Sequence, residues 1–151
     1  RTHPDTAPGD RDPPHFYFHN PPRGPPAPAT DADWMVLLLD TDQSAKTGHH
    51  GYDFRINQTR SASDKASVER WVGKSWQSIA NAVLQVGKNE LHLAVERTTL
   101  DLTTDKPLRF DFKWTYNIPA DTDPIDYLDL GDTAPNTRFH YRFTAEARVK
   151  R

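Results

Sequence analysis

The residues of this chain with the clearest capacity for chemistry are the acidic side chains of one glycine-containing segment. Asp40 and Asp42 follow an apolar run, and Asp53 lies beyond Gly48 and Gly51. Carboxylate and backbone carbonyl oxygens on a flexible loop are the ligands that calcium prefers. The spacing lacks the ligand pattern of an EF-hand, so we predict a structural calcium held by Asp40, Asp42, Asp53 and loop carbonyls. The alternative is an ordinary turn built from Asp and Gly.

A second acidic stretch, residues 117–132, is another place where a cation could be held. It carries five aspartates among turn-forming residues, together with a short segment that predicts a strand over residues 127–130. We predict Asp121 and Asp123 as the ligands, because carboxylates grouped in a loop suit a hard cation. Here too the alternative is a solvated turn.

The seven histidines suggest metal chemistry of another kind, but their spacing is not that of a zinc site. His49 and His50 are adjacent in the loop, and the one pair with i, i+4 spacing, His15 and His19, lies in a segment with a strand pattern rather than on a helical face. Met35 and His140 could ligate a haem, although a Met within an apolar run is typical of packing. A histidine-using metal or haem redox module stays open as an alternative.

No group of residues predicts catalysis. Serine occurs without the nucleophile elbow of a hydrolase, and the paired carboxylates all fall in turn-like acidic loops. We therefore predict a protein that is not an enzyme and has no catalytic residue.

The four tryptophans are the candidate ligand-binding residues. Trp71 and Trp76 flank a predicted tight turn, where such a pair is either a cross-strand staple or an exposed platform for the apolar face of a sugar. Trp114 belongs to an alternating aromatic segment, which favours the core or its edge. Trp34 opens an apolar strand beside the acidic loop. All four are predicted as ligand contacts.

A sheet must position these residues, because the chain shows strand patterns and no long amphipathic helix. Residues 35–39 are a continuous apolar run of strand length, and residues 52–57 alternate apolar and polar with a period of two. A helical turn begun by a Thr98 cap is also predicted. Further strands are predicted at 15–19, 68–71, 76–79, 83–86, 91–96, 110–114 and 139–143.

Many short strands with little helix predict an all-β fold, namely a two-sheet antiparallel β-sandwich of jelly-roll-like form. The predicted core is apolar and drawn from most of the strands. Its members are Met35, Leu37, Leu39, Phe54, Ile56, Leu91, Leu93, Val95, Phe110, Phe112, Phe139 and Tyr141.

Composition narrows the class of protein. A chain of 151 residues with 35% hydrophobic and 26% charged residues is a single domain with a lean core. A formal charge of −2 without a basic run predicts no nucleic-acid partner, and the lack of a long apolar run predicts no membrane partner. The chain has no cysteine, so no disulfide framework exists.

Proline marks the start of the chain. Nine of the thirteen prolines fall within the first thirty residues, so we predict a proline-rich extended segment over residues 1–30, with a short edge strand near 15–19. The β-sandwich module is predicted over residues 31–144 and a charged tail over 145–151. Because the chain opens on Arg1, we expect a piece of a longer, processed protein.

Several motifs together resemble a known family. They are Leu-Leu-Leu-Asp-Thr-Asp-Gln at 37–43, Gly-Tyr-Asp-Phe at 51–54, Val-Glu-Arg-Trp at 68–71, Asn-Glu-Leu at 89–91 and Arg-Phe-Asp-Phe-Lys-Trp at 109–114. In this order they resemble the family 9-like carbohydrate-binding modules, over about residues 16–143. These modules are β-sandwiches attached to secreted bacterial polysaccharide-degrading enzymes. Some hold structural calcium, and those that bind sugar clamp it between exposed tryptophans.

The resemblance implies a secreted, non-catalytic accessory module. Such a module binds a polysaccharide or oligosaccharide and holds a catalytic domain of its parent chain near the substrate. Besides the redox alternative, a calcium-stabilised structural spacer remains open.

Overall fold

The structure is a computed structural model, which describes residues 15–20, 35–87, 91–102, 107–116, 132–134 and 140–145. Several predicted features lie outside these residues. They are Trp34, Asp121, Asp123, Phe139 and the strand predicted at 127–130.

Most of the described chain is β-strand, and turns and loops join the strands. One 3-10 turn, Thr98–Leu100, follows the sixth strand. The strands are β1 (His15–Asn20), β2 (Val36–Asp40), β3 (Phe54–Ala62), β4 (Lys65–Val72), β5 (Ser75–Val86), β6 (Leu91–Glu96), β7 (Leu108–Tyr116), β8 (Asp132–Ala134) and β9 (Tyr141–Ala145).

The strands pair antiparallel in the order β1-β6-β5-β4-β3-β2-β7-β8, and β9 also pairs with β7. The predicted all-β antiparallel fold is confirmed. Its two facing layers belong to one continuous sheet that curls, because β1 at one end lies over β7 near the other. The ring centres of Phe16 and Phe110 are 5.2 Å apart, and those of Phe18 and Phe112 are 5.9 Å apart.

The centre of the sheet is β2, whose five residues are all buried. Leu37 and Leu39 face the core, where they pair with Ile56 and Phe54 of β3 on one side. The apolar run predicted this strand correctly because a strand covered on both faces has no polar position to alternate with. Every described residue of the predicted core is confirmed there except Phe112, which is partly buried against it, and Tyr141.

The core assignment of Tyr141 is wrong. Its side chain is 48% exposed, whereas Phe143, two residues further along β9, packs against the core with its ring stacked on Phe110 at 5.1 Å. Tyr141 and Phe143 lie on the same face of β9, as the alternation predicts, but of these two only Phe143 packs against the core. Tyr141 instead lies beside the ring of Phe112 at 5.4 Å.

Two local expectations differ from the structure, and a third agrees with it. Residues 76–79 and 83–86 belong to one continuous twelve-residue strand, β5. The N-cap of the 3-10 turn is Arg97, which makes no side-chain capping hydrogen bond, so the Thr98 cap is wrong. The edge strand near 15–19 is present as β1, at one end of the strand order. Among the described residues, no helix is long and apolar enough to cross a membrane.

Candidate metal and ligand-binding site

The acidic loop lies where β2 ends and β3 begins. Leu39 pairs with Phe54, and the Asp53 N–H donates to the Leu39 carbonyl at 2.8 Å, so the two strand ends are held side by side. One carboxylate oxygen from each of Asp40, Asp42 and Asp53 lies within 4.8 Å of the others. The structure therefore brings together the three acidic residues that the sequence singled out.

Each carboxylate of this acidic cluster is fixed by hydrogen bonds within the loop. Asp53 Oδ2 accepts from the N–H of Thr41 at 2.9 Å and from its hydroxyl at 3.2 Å. Asp40 Oδ1 accepts from the N–H of Gln43 at 2.6 Å. Asp42 Oδ2 accepts from the hydroxyl of Thr47 at 2.6 Å. These contacts hold the side chains in place without neutralising their charge.

A glycine makes the loop possible. Gly48 has a φ of +69°, and a Cβ built there would lie 2.2 Å from the carbonyl oxygen of Tyr52. Residues 49 and 52 form an isolated bridge in which the His49 N–H donates to that same carbonyl at 2.8 Å. Only glycine fits, because the backbone of the loop's return passes directly over this position.

The acidic cluster is electrostatically unfavourable when its carboxyls are ionised. Burial, a hydrogen bond with Asp42 and the charges of Asp53 and Asp42 raise the pKa of Asp40 to about 6, although the Gln43 N–H opposes the shift. Burial and the charge of Asp42 raise the pKa of Asp53, although hydrogen bonds from Thr41 oppose it. A divalent cation would relieve this repulsion, and these three hard oxygen donors fit calcium.

A cleft of about 390 Å³ opens beside the acidic cluster. Its lining is mainly polar, with carboxylates, hydroxyls and a guanidinium, and the Trp71 indole is the aromatic side chain among these residues. Its lining residues are Thr41, Asp42, Thr47, Gly48, Asp53, Arg70, Trp71 and Asp101.

Trp71 reaches this cleft from the end of β4. The Trp71 N–H donates to the Asp53 carbonyl at 2.9 Å, so strand pairing places the indole next to the acidic loop. Its ring centre lies 4.5 Å from that of His49, and the side chain is half-buried. Trp71 is therefore the predicted tryptophan that lies at the cleft.

Trp76 is the cross-strand partner of Trp71, as the hairpin pattern predicted. The two rings meet edge to face with centres 5.3 Å apart. The Arg55 guanidinium lies 4.8 Å from the centre of the Trp76 ring, and Trp76 also packs against a small apolar cluster of Val36, Leu38 and Tyr52. Trp76 thus stands behind Trp71 and is not among the residues that line the cleft.

The prediction of Trp114 as a ligand contact needs correction. Its side chain is 5% exposed and belongs to the core, where β7 pairs Trp114 with Leu37. A ring enclosed in this way has no face for a ligand, so the alternating aromatic segment signalled packing rather than binding. Trp34 and the acidic pair Asp121 and Asp123 lie outside the described residues.

The residues proposed for haem ligation make contacts of other kinds. Met35 packs in the core, and His140 Nε2 lies 2.9 Å from Asp111 Oδ2 on β7. Neither of these contacts joins Met35 to His140.

Two residues of the cleft were not anticipated from the sequence. Arg70 forms an ion pair with Asp101, which follows the 3-10 turn in a left-handed conformation. Their separation of 31 residues depends on tertiary packing, and no local pattern marks it. The contact between the tilted rings of His49 and Trp71 was missed for the same reason.

Comparison with protein-family models, with curated proteins and with solved structures finds no match for this chain. The geometry of the site is therefore the basis of the functional argument.

Proposed function

We propose that this protein is a non-catalytic carbohydrate-binding module that holds a sugar in the cleft beside Trp71. The observation that carries the proposal is an indole at the wall of a cleft whose other walls present hydroxyls, carboxylates and a guanidinium. A sugar ring has C–H groups on one face, which match an aromatic ring, and hydroxyls at its rim, which hydrogen-bond to such polar groups. The resemblance to family 9-like modules points to the same ligand class.

Trp71 is the platform in this proposal, and its polar partners divide into donors and acceptors. The remaining N–H groups of Arg70 can donate, whereas Asp42, Asp101 and the hydroxyl oxygens of Thr41 and Thr47, whose protons go to Asp53 and Asp42, can accept. Each sugar hydroxyl both donates and accepts, so a cleft with both kinds of group can satisfy one without leaving a buried polar atom unpaired.

Calcium at the acidic cluster is the second part of the proposal. Asp40, Asp42 and Asp53 would hold the ion, with loop carbonyls and water completing the six to eight oxygens that it takes. Its role is structural, because it would join the end of β2 to the start of β3 and cancel the repulsion between three carboxylates. The raised pKa values of Asp40 and Asp53 support this assignment.

The biological role that follows is targeting. A weak module tethered to a polysaccharide-active catalytic domain raises the effective concentration of that domain at its substrate. We propose secretion and a parent enzyme on the strength of the resemblance alone. A calcium-stabilised spacer is the competing function, favoured by the acidic cluster if the cleft binds no sugar.

Glycan-array screening followed by calorimetry tests the proposal. The wild-type domain should bind at least one soluble oligosaccharide, and Trp71→Ala should abolish measurable heat while its melting curve remains cooperative. Tyr17→Ala is the matched control, because Tyr17 is an aromatic residue 67% exposed on β1. Binding that survives Trp71→Ala, or a wild type that binds no glycan, rejects the carbohydrate function and leaves the spacer.

A further inference from the structure

The rim of the cleft is supported from behind by a chain of contacts that reaches across three strands. Arg55 on β3 pairs with Glu69 on β4 through two hydrogen bonds, Nε to Oε2 at 2.8 Å and Nη2 to Oε1 at 3.1 Å. Both side chains are close to nine-tenths buried, at 11% and 12% exposure. A two-point bond of this kind fixes the plane of the guanidinium.

The fixed guanidinium lies against Trp76. Its carbon is 4.8 Å from the centre of the ring, within the distance at which a cation and an aromatic face attract. Trp76 in turn meets Trp71 edge to face at 5.3 Å. The order of contacts is therefore Glu69, Arg55, Trp76 and Trp71, and only the last residue lines the cleft.

We infer that Arg55 and Glu69 are positioning residues that fix the Trp71 indole for its ligand through Trp76. The inference rests on the proposed function, because it concerns how the binding platform is held. Trp71 is half-buried and stands at a strand end, where a ring without support would sample several rotamers. A ligand that stacks on a preorganised ring does not have to order that ring on binding.

The charge pair suits this task better than an apolar pair would. An aliphatic side chain in place of Arg55 could fill the space, but it has no plane and no directed bond to Glu69. The Arg55 and Glu69 pair also lies in register across β3 and β4, so the strands themselves set its position.

The test compares Arg55→Met, Glu69→Gln and Arg55→Lys with the wild type. Arg142→Lys is the matched control, because Arg142 makes the same two-point bond to Asp111, at 2.7 and 3.0 Å, with no tryptophan beside it in the described contacts. Two quantities are measured. They are the affinity for the soluble oligosaccharide found for the wild type and the circular-dichroism couplet that arises when two indoles are held at a fixed angle.

Arg55→Met and Glu69→Gln should weaken binding about three- to tenfold and reduce the couplet, while thermal unfolding stays cooperative. Arg55→Lys, which keeps the charge but loses the planar fork, should lie between these variants and the wild type. Arg142→Lys should change neither quantity. In a Trp76→Ala background, where the chain of contacts is already broken, Glu69→Gln should have no further effect on affinity.

An unchanged affinity and couplet in Arg55→Met overturn the inference, as does an equal loss in Arg142→Lys. If either Arg55 variant fails to fold, Glu69→Gln, whose shape matches the original side chain, decides the test. If the wild type binds no sugar, the proposed function fails by itself. The couplet then decides alone whether Arg55 fixes the indole pair, and an unchanged couplet overturns the positioning role.

Discussion

Asp40 and Asp111 lie directly opposite each other on β2 and β7, and the pKa values of these two buried carboxyls move in opposite directions. The hydrogen bond from Arg142 lowers the pKa of Asp111 below its ordinary value, outweighing burial. Burial and neighbouring carboxylates raise that of Asp40 to about 6. One acid of the pair thus has an arginine as its counter-charge, whereas the other belongs to a cluster that a cation would balance.

The first prediction concerns calcium and pH. At pH 7 a hundredfold excess of calcium over its dissociation constant should stabilise the fold by about 2.7 kcal/mol, since the ion binds only the native state. The pKa of Asp40 is raised from 3.8 to about 6, so protons compete with the ion below that pH. The difference in melting temperature between calcium and chelator should therefore be smaller at pH 5 than at pH 7.

Asp40→Asn is the control for that experiment. A folded-state pKa above the unfolded value means that, in chelator, ionised Asp40 costs stability above about pH 6, and that this cost disappears as the pH falls towards 4. The amide keeps an oxygen for the Gln43 N–H. In chelator at pH 7 the variant should be at least as stable as the wild type, and calcium should not raise its melting temperature. A wild-type melting curve that chelator leaves unchanged at pH 7 would remove the calcium site.

The second prediction compares two glycines of positive φ. Gly48→Ala should destabilise the fold by roughly 3 kcal/mol or more, because its Cβ would lie 2.2 Å from a backbone oxygen that cannot move aside. Gly73→Ala, at the β4–β5 turn, has a φ of +65° and nothing within 4 Å, so it should cost only the left-handed strain of about 1–2 kcal/mol. Urea unfolding of both variants measures the difference. Equal losses would contradict the close approach at Gly48.

The third prediction concerns Lys113, which is 1% exposed. It is the β7 partner of Leu38, on the face of the sheet that points away from the main core. Burial lowers its pKa from 10.5 to about 8. The unfolded chain therefore holds this proton more tightly, and the free energy of unfolding should rise by roughly 1–3 kcal/mol between pH 8 and 10.5. Lys113→Met should remove the rise, whereas Lys74→Met, at the exposed turn, should keep it.

The fourth prediction concerns the charge of the ligand. The cleft presents Asp42, Asp53 and Asp101 against a single cation, Arg70. A uronic-acid oligosaccharide should therefore bind at least about tenfold more weakly in chelator than the neutral sugar of the same length. Added salt and added calcium should each narrow the gap, because both screen the carboxylates. Tighter binding of the acidic sugar would show that the ligand does not face these residues.

The sequence was most informative where a single local period decides the structure. The apolar run predicted β2, and the alternation from Tyr52 onwards predicted β3. The sequence also predicted that the aspartates at the end of β2 and Asp53, just before β3, converge on one site. The bounds of β6, Leu91–Glu96, agree with the prediction because its inward and outward residues alternate without interruption.

Prediction from sequence failed where partners outside a segment decide. Residues 80–82 read as a break between strands, yet their pairing with β4 carries β5 straight through them, and the pairing with β6 begins only at Val83. Trp114 was predicted as a ligand contact, but the curl of the sheet encloses its ring in the core. The ion pair of Arg70 with Asp101 and the support of Trp76 by Arg55 depend on distances between strands that no spacing along the chain encodes.

The curl of the sheet also determines where the folding unit begins. Phe16 and Phe18 of β1 cover Phe110, and Phe16 also lies 5.9 Å from Phe143, so one wall of the interior is supplied by residues that precede the central strand. A fragment that starts at residue 31 would lack β1. The rings of Phe110 and Phe143 would then lose that cover, and the edge of β6 would be unpaired. Such a fragment would be prone to associate through that edge. Protease cleavage between residues 20 and 35 would have the same effect only if the cleaved strand dissociated.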